Sequence, residues 1–255
     1  MRKLILSALV ATGLVGASGA ALANSGGEPL MKPNFSFNGF FGHYDPAQLK
    51  RGFEVYHQVC SNCHNMRLVA YRNLADVGLT ADEIKTVAAE REVDDAPNDE
   101  GLINKRPGRP SDKYIGPFPN EKAAAAANGG AAPPDLSLMA KARVGGPNYI
   151  YSLMLGFSDE VPEHHVVPEG KYYNKYFPGG NISMPPQLME GLVTYTDGTN
   201  ATPEQMAQDI SAFLNWAAEP ELDARKSLGL KVLVFLGVFT ALLYALKRQI
   251  WKNVH

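Results

Sequence analysis

Hydrophobic positions along the chain fall into two kinds of pattern, periodic stripes and unbroken runs. In "DPAQLKRGFEVYHQVC" (45–60), Leu49, Phe53 and Tyr56 recur on one face at helical spacing. Asp45 is placed to cap that helix and Pro46 suits its first turn. In "TPEQMAQDISAFLNWAAEP" (202–220), Met206, Ile210, Phe213, Leu214 and Ala217 predict a second buried stripe. Thr202 would cap it, Pro203 open it, Gln205 complete a capping box and Pro220 mark its end. Between these segments the pattern weakens. "REVDDAPNDEGLINKRPGRPSDKYIGPFP" (91–119) is polar and loop-rich, an insertion or docking surface rather than core. "EKAAAAANGG" (121–130) suits a short helix ended by Gly, and "AAPPDLSLMAKARVGGPNYIYSLMLGF" (131–157) a turn followed by a helix. There are no repeats and little strand signal.

The unbroken runs lie at the two ends. Arg2 and Lys3 precede an uncharged stretch, Leu4 to Ala23, rich in small residues and closing on "ALA". That pattern predicts an export signal over residues 1–23, removed before Asn24. The alternative, an uncleaved anchor, is disfavoured by Gly13, Gly16 and Gly19, which make a weak spanning helix. Val232 to Leu246 is also uncharged, and the run extends back to Leu228 if Lys231 snorkels. Those 19 residues approach the roughly 20 needed to cross a bilayer. They show no polar face, as a core helix would. The chain thus divides into a signal (1–23), an exported domain (24–224), a membrane anchor (225–247) and a short cytoplasmic tail (248–255). Three bases flank each side of the anchor, so charge counting gives no orientation and the export signal supplies it.

Composition is otherwise ordinary, and the net charge of −2 averages over compartments. All 26 acids lie between Glu28 and Asp223; two of the 24 bases fall in the signal and six flank the anchor. The remaining 16 bases leave the exported part at −10. Such a body repels nucleic acid and attracts basic partners. Asp82, Glu83, Glu90, Glu92, Asp94, Asp95, Asp99 and Glu100 form its densest acidic run, either a solvated loop or a docking surface for a basic partner.

The chemistry sits in "YHQVCSNCHN" (56–65), which holds the only two cysteines, Cys60 and Cys63, with His64 directly behind them. A disulfide would close too small a loop to constrain the unfolded chain. Zinc would need a second ligand pair. A thioredoxin-like pair would sit in a βα alternation that is absent here. Covalent attachment of haem c remains: two thioether anchors and an adjacent imidazole for the iron. The sixth ligand is best sought at Met184, in the stiff Gly- and Pro-rich loop "FPGGNISMPPQ". Met189 is a lesser rival, and His164 or His165 would give bis-histidine ligation. Met139, Met154 and Met206 lie in apolar-periodic stretches, where a core role is expected. The two amphipathic helices would then cross beside the haem.

Several stretches together resemble the cytochrome c1 family, the haem subunits of quinol–cytochrome c oxidoreductase (the bc1 complex), in its bacterial form. They are "GFEVYHQVCSNCHNMRLVAYRNL", "PPDLSLMAKAR", "YYNKYFPGGNISMPP", "LVTYTDGT" and "FLNWAAEPELDARKSLGLKVL". The resemblance implies a mainly α, class I c-type cytochrome core with long loop insertions and one C-terminal transmembrane helix. It implies one covalent haem c on Cys60 and Cys63, with His64 and Met184 as axial ligands. Pro134 matches the proline whose carbonyl accepts from the proximal imidazole. The implied partners are cytochrome b, a Rieske iron–sulfur protein as electron donor and a c-type cytochrome as acceptor. The implied setting is a dimeric complex in the bacterial inner membrane, with the haem domain periplasmic. On this reading the chain is a redox carrier, not an enzyme on its own. Two departures stand out: Ala125 falls where mitochondrial members place an arginine beside a haem propionate, and no second cysteine pair staples the loop before Met184. That loop must then be held by packing and its prolines. The competing functions are a freestanding membrane-anchored c-type shuttle, an exported thiol–disulfide oxidoreductase and a purely structural anchor.

Overall fold

The amphipathic segments form the two helices at the centre of the core. A computed structural model describes residues 28–253, so the export signal expected over 1–23 lies outside the described residues. Helix α1 runs Pro46–Gln58, with the Asp45 carboxylate accepting from the Ala47 N–H (3.0 Å). It stops before the cysteines: Val59 ends it, and Cys60–Asn62 form a separate 3-10 turn. Helix α6, Pro203–Ala218, crosses α1 at Gly52. A Cβ at residue 52 would stand 2.2 Å from the Asp209 carbonyl oxygen and 2.6 Å from Phe213 Cβ. Only glycine permits this approach. Phe53, Tyr56, Met206, Ile210 and Phe213 fill the crossing, all nearly inaccessible to water.

The capping box expected on α6 forms only by half. Thr202 Oγ1 accepts from the Gln205 N–H (3.2 Å), but the Gln205 amide donates to both Asp209 oxygens (3.0 Å each). Asp209 is fully buried, and its other partner is Arg51 (3.0 Å). A buried carboxylate short of donors draws the glutamine away from the helix end.

Smaller elements surround this pair. Strand β1 (Met66–Ala70) follows the cysteine turn, and a 3-10 segment, Tyr71–Val77, leads to α2 (Ala81–Ala89). Strands β2 (Glu92–Asp94) and β3 (Lys105–Pro107) pair antiparallel, as do β1 and β4 (Lys113–Tyr114). The 91–119 segment therefore contributes to the core as well as the surface. Tyr114 is buried against Tyr56 and Tyr71, with ring centroids 5.1 and 4.6 Å away. Then come α3 (Glu121–Ala127), α4 (Met139–Ala142) and α5 (Pro147–Leu155), the last two packed on α6. A short hairpin, β5 (Tyr172–Tyr173) with β6 (Asn181–Ile182), precedes Met184. Among the described residues the fold is helix-rich with three two-stranded pairings, more strand than the sequence suggested. Helix α7, Leu222–Ile250, projects from the end of α6; its first turns carry Asp223 and the half-buried Lys226, and every side chain from Leu230 on is exposed.

Candidate functional site

The 3-10 turn after α1 presents Cys60, Cys63 and His64 together. Cys63 and His64 both donate their N–H groups to the Cys60 carbonyl (3.1 and 2.8 Å), which closes the turn. Ser61 Oγ and the Asn62 amide tie it back to the His57 and Gln58 carbonyls (2.7 and 3.1 Å). The Tyr56 hydroxyl, rising from the buried face of α1, donates to the His64 carbonyl (3.2 Å). The turn's geometry is thus inherited from the rigid helix beneath it.

His64 Nδ1 lies 2.7 Å from the Pro134 carbonyl oxygen. A carbonyl only accepts, so Nδ1 carries the proton and Nε2 keeps a free lone pair. Burial holds the His64 imidazole below its ordinary pKa, opposed by the Pro134 contact and Asp135, so the ring is neutral at neutral pH. Pro134 is placed by residues the sequence reading passed over. Asp135 accepts from the Arg67 N–H (3.0 Å) and the Ser137 N–H (2.8 Å), and Ser137 Oγ accepts from the Leu68 N–H (3.1 Å). The Asn65 carbonyl receives the Leu136 N–H (2.9 Å). These contacts lace 134–137 along β1. The signal for them was the Asp-x-Ser spacing behind two prolines, which favours local side-chain-to-backbone bonds.

The residues fit a covalent haem. Both cysteines are unpaired and partly accessible, and the His64 Nε2 has no hydrogen-bond partner among the described residues. A dithiol redox pair fits less well. Burial pushes the Cys60 thiol up to about 12, whereas an attacking cysteine has its pKa lowered. Nor do three His, Cys, Asp or Glu side chains converge anywhere among the described residues, so the zinc alternative lacks a ligand set.

Met184 is half-buried, two residues past β6 and directly before Pro185 and Pro186. More than packing and proline holds its loop. The fully buried Asn174 donates from its amide to the Leu153 carbonyl (2.7 Å) and accepts from the Tyr176 N–H (3.0 Å). Its backbone N–H donates to the Gly180 carbonyl (2.8 Å), and Lys171 reaches Ser183. His165 braces the same hairpin: its Nε2 lies 2.9 Å from Asn181 Oδ1. His164 is exposed, and so is Met189. Met139 and Met154 pack against the core and Met206 lies within it, as expected. Ala125 is half-buried on α3, where its carbonyl accepts from Asn128 and Gly130.

The acidic run is less naked than its sequence suggests. Asp82 and Glu83 lie in the first turn of α2, with the Thr80 N–H donating to the Glu83 carboxylate (2.6 Å). Asp82, Glu83 and Asp95 pair with Lys85 (3.2 Å), Lys50 (3.1 Å) and Arg106 (3.1 Å), and Asp94 pairs with Lys105. Glu90 faces His57 (3.1 Å). Glu92, Asp99 and Glu100 have no ion-pair partner among the described residues.

Residues 35–254 match the sequence profile of the Cytochrome C1 family. The chain is 57% identical to a cytochrome c1 of Rhodospirillum rubrum, over its whole length and 99% of that protein. It is 49% identical to the mitochondrial cytochrome c1 heme protein of Saccharomyces cerevisiae, over 86% of this chain and 71% of the yeast one. It is 45% identical to a cytochrome b/c1 of Bradyrhizobium diazoefficiens, over 97% of this chain but 39% of that longer protein.

Proposed function

The chain belongs to the cytochrome c1 family, and from that premise we propose that it is the electron-transfer haem subunit of a bacterial bc1 complex. Members of the family carry covalently attached haem c. When bound, the haem supplies an iron that gains and loses one electron at a potential set by its surroundings. Cys60 and Cys63 would hold it through thioethers, and His64 and Met184 would supply the side chains that ligate its iron. The observation that carries this reading is the His64 Nδ1–Pro134 contact of 2.7 Å, which leaves Nε2 free beside two unpaired thiols.

The chain's own work is to hold groups still. Pro134 fixes the tautomer and orientation of His64, and Asp135 fixes Pro134. Asn174 and the β5–β6 hairpin keep the Met184 loop in one conformation, so a thioether there need not reorganise when charge changes. No side chain is required as acid, base or nucleophile. The electron enters from a Rieske iron–sulfur protein and leaves to a c-type cytochrome, with cytochrome b as membrane partner in a dimeric complex. The longer relative named cytochrome b/c1 supports the cytochrome b pairing. Glu92, Asp99 and Glu100, the unpaired members of the acidic run, are the charges available to a basic acceptor. Helix α7 is long and apolar enough to span a membrane once, with the haem domain periplasmic and the tail cytoplasmic.

The test is a visible spectrum of the detergent-extracted protein, oxidised and ascorbate-reduced, with a denaturing gel stained for haem. Haem migrating with the polypeptide, and a methionine–iron charge-transfer band when oxidised, are expected. A colourless chain with two titratable thiols would overturn the reading. Co-purification with cytochrome b and a Rieske subunit separates the complex subunit from a freestanding shuttle.

A further inference from the structure

Phe40 and Phe41 are 53% and 79% exposed and pack edge to face, with ring centroids 4.9 Å apart. Two adjacent exposed phenylalanines on a floppy loop would mean little, but this loop is braced. Lys226, one turn into α7, donates from Nζ to the carbonyl oxygens of Phe37 (2.7 Å), Gly39 (2.7 Å) and Gly42 (2.9 Å). All three protons of its ammonium group are thus committed to the loop backbone. Asp223, a turn earlier, accepts from the Tyr44 N–H (3.2 and 3.3 Å to its two oxygens). The Tyr44 hydroxyl donates to the Glu219 carbonyl (3.1 Å). The loop also folds tightly on itself: a Cβ at Gly42 would stand 2.1 Å from the Asn38 carbonyl oxygen. The segment 37–44 is therefore a rigid attachment of α7, and the two rings sit at its tip.

The height of that tip can be fixed from the helix. At 1.5 Å per residue, the 19 uncharged or snorkelling positions from Leu228 to Leu246 span about 28 Å, close to a hydrocarbon core of about 30 Å. The hydrocarbon on the domain side therefore begins near Leu228. Phe40, Phe41, Lys226 and Leu230 line one cleft of about 200 Å³. The rings thus lie beside the first turn of the apolar run, at the boundary between headgroups and acyl chains. An aromatic pair there has a medium to enter, which water is not.

We infer that the 37–44 loop is an interfacial foot: Phe40 and Phe41 insert into the headgroup–acyl boundary of the bilayer, and the Lys226 clamp locks that foot to α7. The occupant is lipid, because the rings are continuous with the lipid-facing run of the helix rather than with the haem face. The consequence is orientational. One helix alone lets a domain tilt and swing, whereas a helix plus a fixed second contact holds the domain at one angle to the membrane. The inference rests on reading α7 as a membrane span.

The experiment uses the haem-loaded full chain in phosphatidylcholine vesicles, whose zwitterionic surface does not draw the loop by charge. Cys60 and Cys63 are consumed by thioethers, so one introduced cysteine carries one nitroxide. Labels at Phe41→Cys, Val166→Cys (79% exposed on the domain) and Val234→Cys (60% exposed on α7) report water, interface and bilayer by collision with oxygen against a water-soluble nickel complex. The oxygen-to-nickel ratio at position 41 is expected to be about threefold above that at 166 and below that at 234, as for a group sunk into the headgroup boundary. Adding Lys226→Met should sharpen the spectrum at 41 and remove most of that excess. Equal ratios at 41 and 166, with 234 still deep, would overturn the foot while leaving the span intact. A water-like ratio at 234 would instead overturn the span, and the foot with it. A label at 41 shielded from both reagents in the purified complex would show that protein, not lipid, covers the rings. An unchanged spectrum in Lys226→Met would refute the clamp.

Discussion

Replacing Gly52 with alanine tests whether the α1–α6 crossing is as tight as it looks, and two effects of opposite sign decide the outcome. Alanine in a helix interior is favoured over glycine by about 1 kcal/mol. Against that, the new Cβ would stand 2.2 Å from the Asp209 carbonyl oxygen, where ordinary contact begins at 3.4 Å. The helices must separate locally by about 1.2 Å, and backbone on both sides leaves no flexible side chain to yield. A gap of 0.5–1 Å already forfeits a quarter to a half of each dispersion contact it opens. Phe53, Tyr56 and Phe213 would all lose contacts, so the strain belongs at the upper end of overpacking, about 3 kcal/mol. The net is a loss of about 2 kcal/mol. For a domain of this size that lowers the midpoint of thermal unfolding by roughly 4–8 °C. Circular dichroism of the detergent-solubilised, haem-loaded chain measures it. Gly229→Ala is the control: among the described residues no atom of another part of the fold lies within 4 Å, so helix preference acts alone and stability should hold or rise. A Gly52→Ala midpoint at or above that of the unaltered chain would refute the tight crossing.

Three other expectations concern the site and its supports. Asp135→Ala removes two of the bonds that hold the 134–137 segment and so weakens the grip of Pro134 on the His64 proton; a less basic imidazole favours the reduced iron. About 1 kcal/mol of lost hydrogen bonding corresponds to a midpoint potential higher by about 40 mV, and an unchanged redox titration would contradict it. Asn174→Ala strips buried partners from Leu153 and Tyr176, and should weaken the methionine–iron band before it affects haem attachment. The Thr80 backbone N–H, the Thr80 hydroxyl and Lys50 hold the Glu83 carboxyl at about 2, below its ordinary 4.5. A lowered folded pKa means stabilisation that is present above about pH 4.5 and lost as pH falls towards 2. The stability gap between the unaltered chain and Glu83→Gln should therefore close over that window, and at this half-exposed site it stays below about 1 kcal/mol.

Much of the site's chemistry was legible in the sequence because it is local. The roles proposed for Cys60, Cys63 and His64 rest on their spacing, and spacing is covalent. The caps at Asp45 and Thr202, the stripe from Met206 to Ala217 and the unbroken run from Leu228 to Leu246 depend on neighbours within a few residues. The same local rules failed wherever a distant partner competed. Gln205 left its cap for Asp209, a carboxylate four residues on that is buried only because α6 packs against α1 and Arg51, and Glu83, Asp94 and Asp95 found lysine or arginine partners on α1 and β3. Tyr114, in a segment read as surface, became core because β4 pairs with β1.

What only the tertiary structure decided are the contacts that bring separated groups to one point. The Pro134 carbonyl meets the His64 ring across 70 residues of sequence. Asn174 secures the hairpin before Met184, and Lys226 grips a loop nearly 190 residues earlier in the chain. No periodicity records such pairs, because each is fixed by the packing of elements that meet only in the folded state. The residue types needed for haem chemistry are written in the chain; their orientation is a property of the fold.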